Sequence, residues 1–133
     1  MVKNSTLNSF KNLENALSRL EEILAHKDIE KIDHLQDAAI HRFEFTIELF
    51  WKVLKKILLD QKAETTTPKD VLKKAYQYKL IDDEEAWLSM LDDRSMSSHV
   101  YNQEVAREIF HHIKDHFPTM KSTFLRLKKE YNL

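Results

Sequence analysis

The absence of glycine is the feature of this chain that most constrains its fold. Its 133 residues include no glycine and only two prolines. Glycine is the usual residue at positive backbone φ and in the tight turns of β-hairpins. We therefore expect helices joined by short connections. Cysteine is absent too, which excludes a disulfide framework, a thiolate metal site and a thiol nucleophile.

Apolar residues recur at helical spacing along the chain. The first predicted helix runs from about Ser5 to His26, and the second runs from about His34 to Gln61. The second is apolar on two sides, so it should pack against more than one neighbour and form the centre of the fold. The predicted core contains Phe43, Ile47, Phe50, Leu54, Trp87 and Phe110.

Capping signals predict where the next two helices begin. Thr67 followed by Pro68 is typical of an N-cap and a first helical residue. Asp82, with Glu85 three residues later, is a variant of the capping box and predicts the start of a fourth helix.

The last part of the chain predicts a fifth helix. Asn102 can cap it, and Pro118 is expected to break or kink it. The predicted fold is an all-α, antiparallel bundle of four to five helices, formed by a single domain over residues 1–133. The amino terminus lacks the apolar core of a signal peptide, and no apolar run reaches membrane-spanning length, so we expect a cytoplasmic protein. The formal net charge of −1 gives no overall attraction for long nucleic acids.

Residues 94–101 concentrate the groups that can carry chemistry. Arg94 is a permanent cation whose forked donors suit phosphate, and His99 can transfer a proton near neutral pH. On one continuous helix these side chains would lie about 140° apart and would not converge. Either the helix breaks inside the motif, or another copy of the chain completes the site. Three serines lie between the two residues, and they make a break plausible because serine competes for backbone hydrogen bonds.

The residues around this motif resemble a known family. The stretch 82–102 is similar to the signature of HEPN-domain proteins, in which arginine is followed, after four to six residues, by histidine. The form Arg-x4-His-x-Tyr, ending at Tyr101, resembles the HepT-like branch, also described as nucleotidyltransferase substrate-binding proteins. The segment 42–56, with its Arg-Phe-Glu and Trp-Lys elements, resembles the long second helix of that branch. The resemblance extends from about residue 10 to residue 127, and Ser95 departs from the asparagine frequent at its position.

This resemblance implies a metal-independent ribonuclease that needs no cofactor. His99 would act as the general base on a 2′-hydroxyl or as the acid for the leaving oxygen, and Arg94 would stabilise the charge of the transition state. Asp93 and Arg42 would support these two residues. Arg42 would do so at a dimer face or by reaching an aspartate near Arg94. HEPN proteins dimerise so that two motifs face a shared cleft, which implies a homodimer or a larger hetero-oligomer.

The resemblance also implies a control mechanism at Tyr101. In the HepT-like branch this tyrosine accepts adenylyl groups from a partner, a minimal nucleotidyltransferase. The added phosphodiester charge would offset the attraction of Arg94 for RNA. The implied function is a toxin ribonuclease that its antitoxin enzyme silences. The alternative is a non-catalytic substrate-binding subunit of a two-component nucleotidyltransferase, which Ser95 slightly favours, and a purely structural bundle is a third possibility.

Histidines near the end of the chain raise the question of a metal. His112 and His116 are four residues apart and could hold zinc, while Glu108 and His111 resemble half of a di-iron bundle. A second Glu-x-x-His and the remaining carboxylates of such a bundle are missing. We therefore expect no metal site, and expect these histidines on a solvated flank of their helix.

Overall fold

The computed structural model describes residues 4–100 and 102–132. Within these residues no strand occurs, and the all-α fold expected from the lack of glycine is confirmed. The predicted central helix begins at Asp33 rather than His34. The five helices are α1 (Asn4–Leu24), α2 (Asp33–Asp60), α3 (Pro68–Gln77), α4 (Glu84–Ser97) and α5 (Gln103–Glu130).

The second helix is the centre of the fold, as its two apolar sides predicted. α2 packs against α1, α3, α4 and α5. Phe50 of α2 meets Trp87 of α4 edge-on, with ring centroids 4.5 Å apart. Burial of aromatic side chains is a large part of the hydrophobic stabilisation of such a bundle. All six predicted core residues are fully buried: Phe43, Ile47, Phe50, Leu54, Trp87 and Phe110.

Two of the predicted N-caps are confirmed. Thr67 Oγ1 accepts a hydrogen bond from the Asp70 backbone N–H at 3.1 Å. Asn102 Oδ1 accepts one from the Val105 backbone N–H at 2.9 Å. Each cap satisfies a backbone donor that the first helical turn leaves without a partner.

The predicted cap of the fourth helix was wrong by one residue. Asp83, with φ −129° and ψ 92°, is the N-cap, and its Oδ1 accepts from the Ala86 backbone N–H at 3.0 Å. Asp82 instead faces the guanidinium of Arg126 at 3.8 Å. Two consecutive aspartates can both supply a capping oxygen, so the capping pattern alone does not decide between them.

Pro118 was predicted to break or kink the last helix, and the break is wrong, since α5 is continuous through Pro118. Proline in a helix interior costs roughly 3 kcal/mol, because it removes one backbone hydrogen bond and crowds the preceding turn. Met120, Phe124 and Leu127, which follow it, are buried in the core. At about 1.5–3 kcal/mol for each buried side chain, the burial that a continuous helix permits exceeds the cost of the proline.

Hydropathy gives one further constraint on the described part of the chain. None of its helices combines the length and the apolar character needed to cross a lipid bilayer.

Truncation of Phe50 should show how strongly the bundle depends on α2. We expect Phe50→Ala to lower the free energy of unfolding by about 3–5 kcal/mol, because its side chain is fully buried. Chemical denaturation measures this loss. Leu59→Ala is the exposed control on the same helix, since Leu59 is 54% exposed and its loss should cost about 0.5 kcal/mol or less. Equal losses in the two variants would contradict the assignment of the core.

Candidate active site

The last turn of α4 carries Arg94 and ends inside the motif. α4 stops at Ser97, Ser98 is its C-cap, and His99 follows in a turn. The hydroxyls of Ser97 and Ser98 each donate to the backbone carbonyl three residues earlier, at 2.7 and 2.8 Å. Such local bonds compete with continuation of a helix. Of the two alternatives that the sequence left open, a helix break between Arg94 and His99 is therefore present.

Arg94 projects onto α2, where two carboxylates hold its guanidinium. Nη1 donates to Glu44 Oε2 at 3.1 Å, and Nε lies 3.5 Å from Glu48 Oε1. Ser97 Oγ also lies 2.5 Å from the same Glu44 oxygen, so its single proton is shared between that carboxylate and the Arg94 carbonyl. Nε is buried, and its geometry towards Glu48 is that of an ion pair without a hydrogen bond. The side chain of Arg94 is still 33% exposed, so the guanidinium is oriented by the protein and remains accessible.

The carboxylate pair was not expected from the sequence as a partner of Arg94. Glu44 and Glu48 are four residues apart and share a face of α2, where two like charges would repel each other. Arg94 compensates this repulsion from a neighbouring helix. Two carboxylates four residues apart on one face of α2 are the signal that could have indicated a cation from elsewhere in the chain.

His99 lies just beyond α4 and its side chain is exposed. The imidazole makes no hydrogen bond or ion pair with any of the described residues, Arg94 included. Val100 packs partly against the core and anchors this connection. A cavity of about 440 Å³ opens beside it, between the beginnings of α2 and α5, and is lined by Asp37, Val100, Asn102, Gln103 and Ala106. Tyr101, the predicted modification site, lies outside the described residues.

Asp93 is adjacent to Arg94 but its side chain is buried, with the residue only 7% exposed. Its Oδ2 lies 2.6 Å from His116 Nε2, and its Oδ1 lies 3.0 Å from His112 Nδ1. An ionised carboxylate can only accept hydrogen bonds, so each of these ring nitrogens carries a proton when it bonds to Asp93. The His116 ring also stacks on Phe43, with centroids 5.8 Å apart.

The expectation of a solvated flank was thus wrong for His116, which is buried because Asp93 supplies a hydrogen-bond acceptor inside the bundle. His112 is half exposed but shares the same carboxylate. Among the residues that the structure describes, no group of three or more His, Asp or Glu side chains is arranged to hold a metal ion.

Arg42 lies on the side of α2 that faces α1. Its Nη1 donates to the backbone carbonyl of Arg19 at 2.6 Å and lies 3.6 Å from Glu22. The interpretation that Arg42 reaches an aspartate near Arg94 was wrong, because α1 supplies the acceptors instead. Arg42 and Phe45 line a groove of about 260 Å³ between α1 and α2.

Comparison with known proteins identifies the relatives of this chain. A family model described as "Nucleotidyltransferase substrate binding protein like" matches residues 8–129. The chain belongs to this family. A relative named "Probable ribonuclease HepT", from Haemophilus influenzae, is 35% identical over 98 residues. The match covers 70% of this chain and 66% of the relative, so it spans slightly less than two thirds of that protein's length.

Solved structures share the fold. A protein of Thermus thermophilus is 37% identical, with a TM-score of 0.80 over 87% of this chain and 98% of that one. The tri-AMPylated HEPN toxin of Shewanella oneidensis, in complex with its MNT antitoxin, has a TM-score of 0.77 over 96% of this chain and 99% of its own. Its sequence identity is 15%, and the likeness therefore concerns the fold alone.

The contact between Arg94 and Glu44 can be measured by a double-mutant cycle with Arg94→Gln and Glu44→Gln. For a partly exposed pair we expect a coupling energy of about 0.2–1 kcal/mol, decreasing as salt rises from low to high concentration. The more exposed pair Arg107–Asp33, at 3.4 Å, is the matched control and should couple less. A larger coupling in the control pair would contradict the view that Glu44 orients Arg94.

Proposed function

We propose that this chain is a metal-independent endoribonuclease that acts as the toxin of a toxin–antitoxin pair. The observation that carries the proposal is the junction of α4 and α5. There, a guanidinium held by two carboxylates and an exposed imidazole lie on either side of a helix break. The relative named as a probable ribonuclease supports the assignment.

The reaction requires a base, an acid and a cation. Neutral His99 removes the proton of a ribose 2′-hydroxyl, and the 2′-oxygen forms a bond to the adjacent phosphorus. The bond from phosphorus to the 5′-oxygen breaks, and the leaving oxygen takes a proton from the His99 imidazolium of a second chain. The products are a 2′,3′-cyclic phosphate and a 5′-hydroxyl. A metal is not needed if Arg94 stabilises the charge that develops on the phosphoryl oxygens.

Some N–H donors of the Arg94 guanidinium have no partner among the described residues and can serve this role. Guanidinium carries five N–H donors, and Nη1 and Nε face Glu44 and Glu48. Nη2 has no hydrogen-bond partner among the described residues. Nη2 and the second N–H of Nη1 form a fork that suits two phosphoryl oxygens.

A homodimer would bring two motifs together. One chain supplies a single His99 imidazole, whereas the proposed reaction uses one imidazole as the base and a second as the acid. Phe45 is 57% exposed and directly follows Glu44, and Met96 is 51% exposed and lies two residues after Arg94. Exposed apolar side chains beside a charged cluster suit a protein interface. Arg42, in the neighbouring groove, would support this dimer face.

The proposed regulation is adenylylation of Tyr101 by a minimal nucleotidyltransferase. The partner would transfer AMP from ATP to the phenol oxygen and release pyrophosphate. The proposal rests on the Arg-x4-His-x-Tyr pattern, in which Tyr101 follows His99 by two residues. The new phosphodiester would carry negative charge into the neighbourhood of Arg94 and repel RNA. A toxin with this fold is known in an AMPylated form with its antitoxin.

The second candidate function is a non-catalytic substrate-binding subunit of a nucleotidyltransferase. The description of the family and the serine at position 95 favour it. The contacts of Arg94 with Glu44 and Glu48 also weaken its attraction for an anion.

RNA cleavage separates the two candidates. Purified, unmodified protein should cleave single-stranded RNA in a metal chelator. Arg94→Ala and His99→Ala should each lower the rate on the order of 10²–10⁴-fold, because each removes a positioned catalytic group. Arg107→Ala and His111→Ala, on the exposed side of α5, are the matched controls and should keep the activity. An unmodified protein that cleaves no RNA but binds the nucleotidyltransferase would establish the substrate-binding subunit instead.

Modification should depend on a single tyrosine. Incubation with the partner enzyme and ATP should raise the mass of the chain by one or more adenylyl groups and silence cleavage. Tyr101→Phe should remain an active ribonuclease and gain no mass. Tyr78→Phe, at a 44% exposed position, should behave as the unchanged chain does. Adenylylation of the Tyr101→Phe variant would refute this site.

A further inference from the structure

Asp93 is the only aspartate or glutamate that is buried among the described residues. A buried carboxylate is unfavourable unless hydrogen bonds replace its lost hydration. Here, His116 and His112 supply one bond to each carboxylate oxygen. These two histidines are four residues apart, so they share one face of α5 and close on Asp93 together. We call Asp93, His112 and His116 the carboxylate–histidine cluster.

The carboxylate–histidine cluster is directly linked to the surroundings of Arg94. Asp93 and Arg94 are consecutive on α4, and Phe43 and Glu44 are consecutive on α2. Inside the bundle, Asp93 bonds to His116, whose ring stacks on Phe43. At the surface, Arg94 bonds to Glu44. The same turn of α4 is therefore held by α5 on one side and by α2 on the other.

Stability alone gives a weak reason for such a cluster. Replacement of a buried ion pair by well-packed apolar residues of similar volume is often neutral or stabilising. The hydrogen bonds of the carboxylate–histidine cluster are directional. They permit one arrangement of the end of α4 against α5, whereas apolar contacts permit several. The side chain of Arg94 projects from this end of α4.

We propose that Asp93, His112 and His116 are positioning residues, which hold the last turn of α4 so that the Arg94 guanidinium has a fixed location relative to the reacting phosphate. The inference rests on the proposed ribonuclease function and deepens it. The cluster acts through Arg94 and touches no substrate. His112 and His116 make no bond to His99, so the cluster is not a proton relay to that residue.

The test compares two substitutions at one position. His116→Phe keeps a ring that can stack on Phe43 and removes the donor to Asp93. His116→Gln places an amide N–H near the position of Nε2 and restores the donor. We expect His116→Phe to lower kcat by up to about 100-fold with little change in KM, the effect of a displacement of about 1 Å at a catalytic group. His116→Gln should recover most of that loss.

A matched control separates positioning from general loss of stability. Gln36 is buried and its Nε2 donates to the Ile29 carbonyl at 3.0 Å, near the connection of α1 and α2. Gln36→Leu removes a buried hydrogen bond there and should lower the melting temperature without changing kcat. Equal kcat losses in Gln36→Leu and His116→Phe, or equal kcat values in His116→Phe and His116→Gln, would overturn the proposal.

A second readout does not depend on RNA cleavage. The Arg94 Nε atom is buried, so its N–H should give a signal in ¹⁵N NMR that exchanges slowly with water, assigned by its absence in Arg94→Lys. His116→Phe should accelerate this exchange at least about 10-fold, as expected when a local contact that protects a site is lost. His116→Gln and Gln36→Leu should leave it unchanged.

The two readouts keep failure of the positioning inference distinct from failure of the proposed function. A wild-type protein that cleaves no RNA overturns the function, and the exchange of the Arg94 N–H then decides the positioning inference alone. Unchanged exchange in His116→Phe overturns it. If His116→Phe does not fold, His112→Ala takes its place, since the His112 side chain is 48% exposed. It should accelerate the same exchange to a smaller extent, and no acceleration would overturn the inference.

Discussion

The register of α2 in the core determines where every other part of the site can lie. Phe43, Ile47, Phe50 and Leu54 are fully buried on one side of this helix. Each contributes about 1.5–3 kcal/mol by burial, whereas a partly exposed ion pair contributes about 0–1 kcal/mol. The core therefore places Glu44 at the contact with α4. The charged contact orients Arg94 without deciding the packing of the helices.

The inner and outer faces of the last turn of α4 make different kinds of contact. On the inner face, Asp93 and His116 form short, directional contacts in a region that excludes water. On the outer face, Arg94 remains accessible and keeps donors free for an anion. The carboxylates that orient Arg94 also lower the local positive potential. Because the carboxylates orient Arg94 and also weaken its attraction for an anion, their contacts with Arg94 are compatible with a ribonuclease and with a substrate-binding subunit.

Much of the fold was predictable from the sequence because it depends on local patterns. Periodicity identified α2 as the central helix, and Thr67 and Asn102 were identified as caps from their residue type and neighbours. The capping pattern did not identify the N-cap of α4, because Asp82 and Asp83 both fit it. Local patterns also do not exclude a break at Pro118, where α5 is continuous because burial of residues later in the helix outweighs the local cost of proline.

The site was only partly predictable. The helix break between Arg94 and His99 was one of two alternatives, and the serines between them favoured it. The contacts of Arg94 with Glu44 and of Asp93 with His116 were missed, because they join residues 50 and 23 positions apart. Helical periodicity carries no information on which faces of separate helices meet. It placed His116 on a solvated flank because a charged or polar side chain is seldom buried without a partner.

We propose that the junction of α4 and α5 cleaves RNA by attack of the adjacent 2′-hydroxyl, with His99 and Arg94 as the acting groups. The most direct test of this proposal is an analysis of the ends produced when unmodified protein meets single-stranded RNA in a metal chelator, beside the same RNA carrying 2′-O-methyl groups. We expect fragments that end in 2′,3′-cyclic phosphate and begin with 5′-hydroxyl, and no cleavage of the methylated strand. Fragments with 3′-hydroxyl and 5′-phosphate ends, or cleavage of the methylated strand, would contradict it.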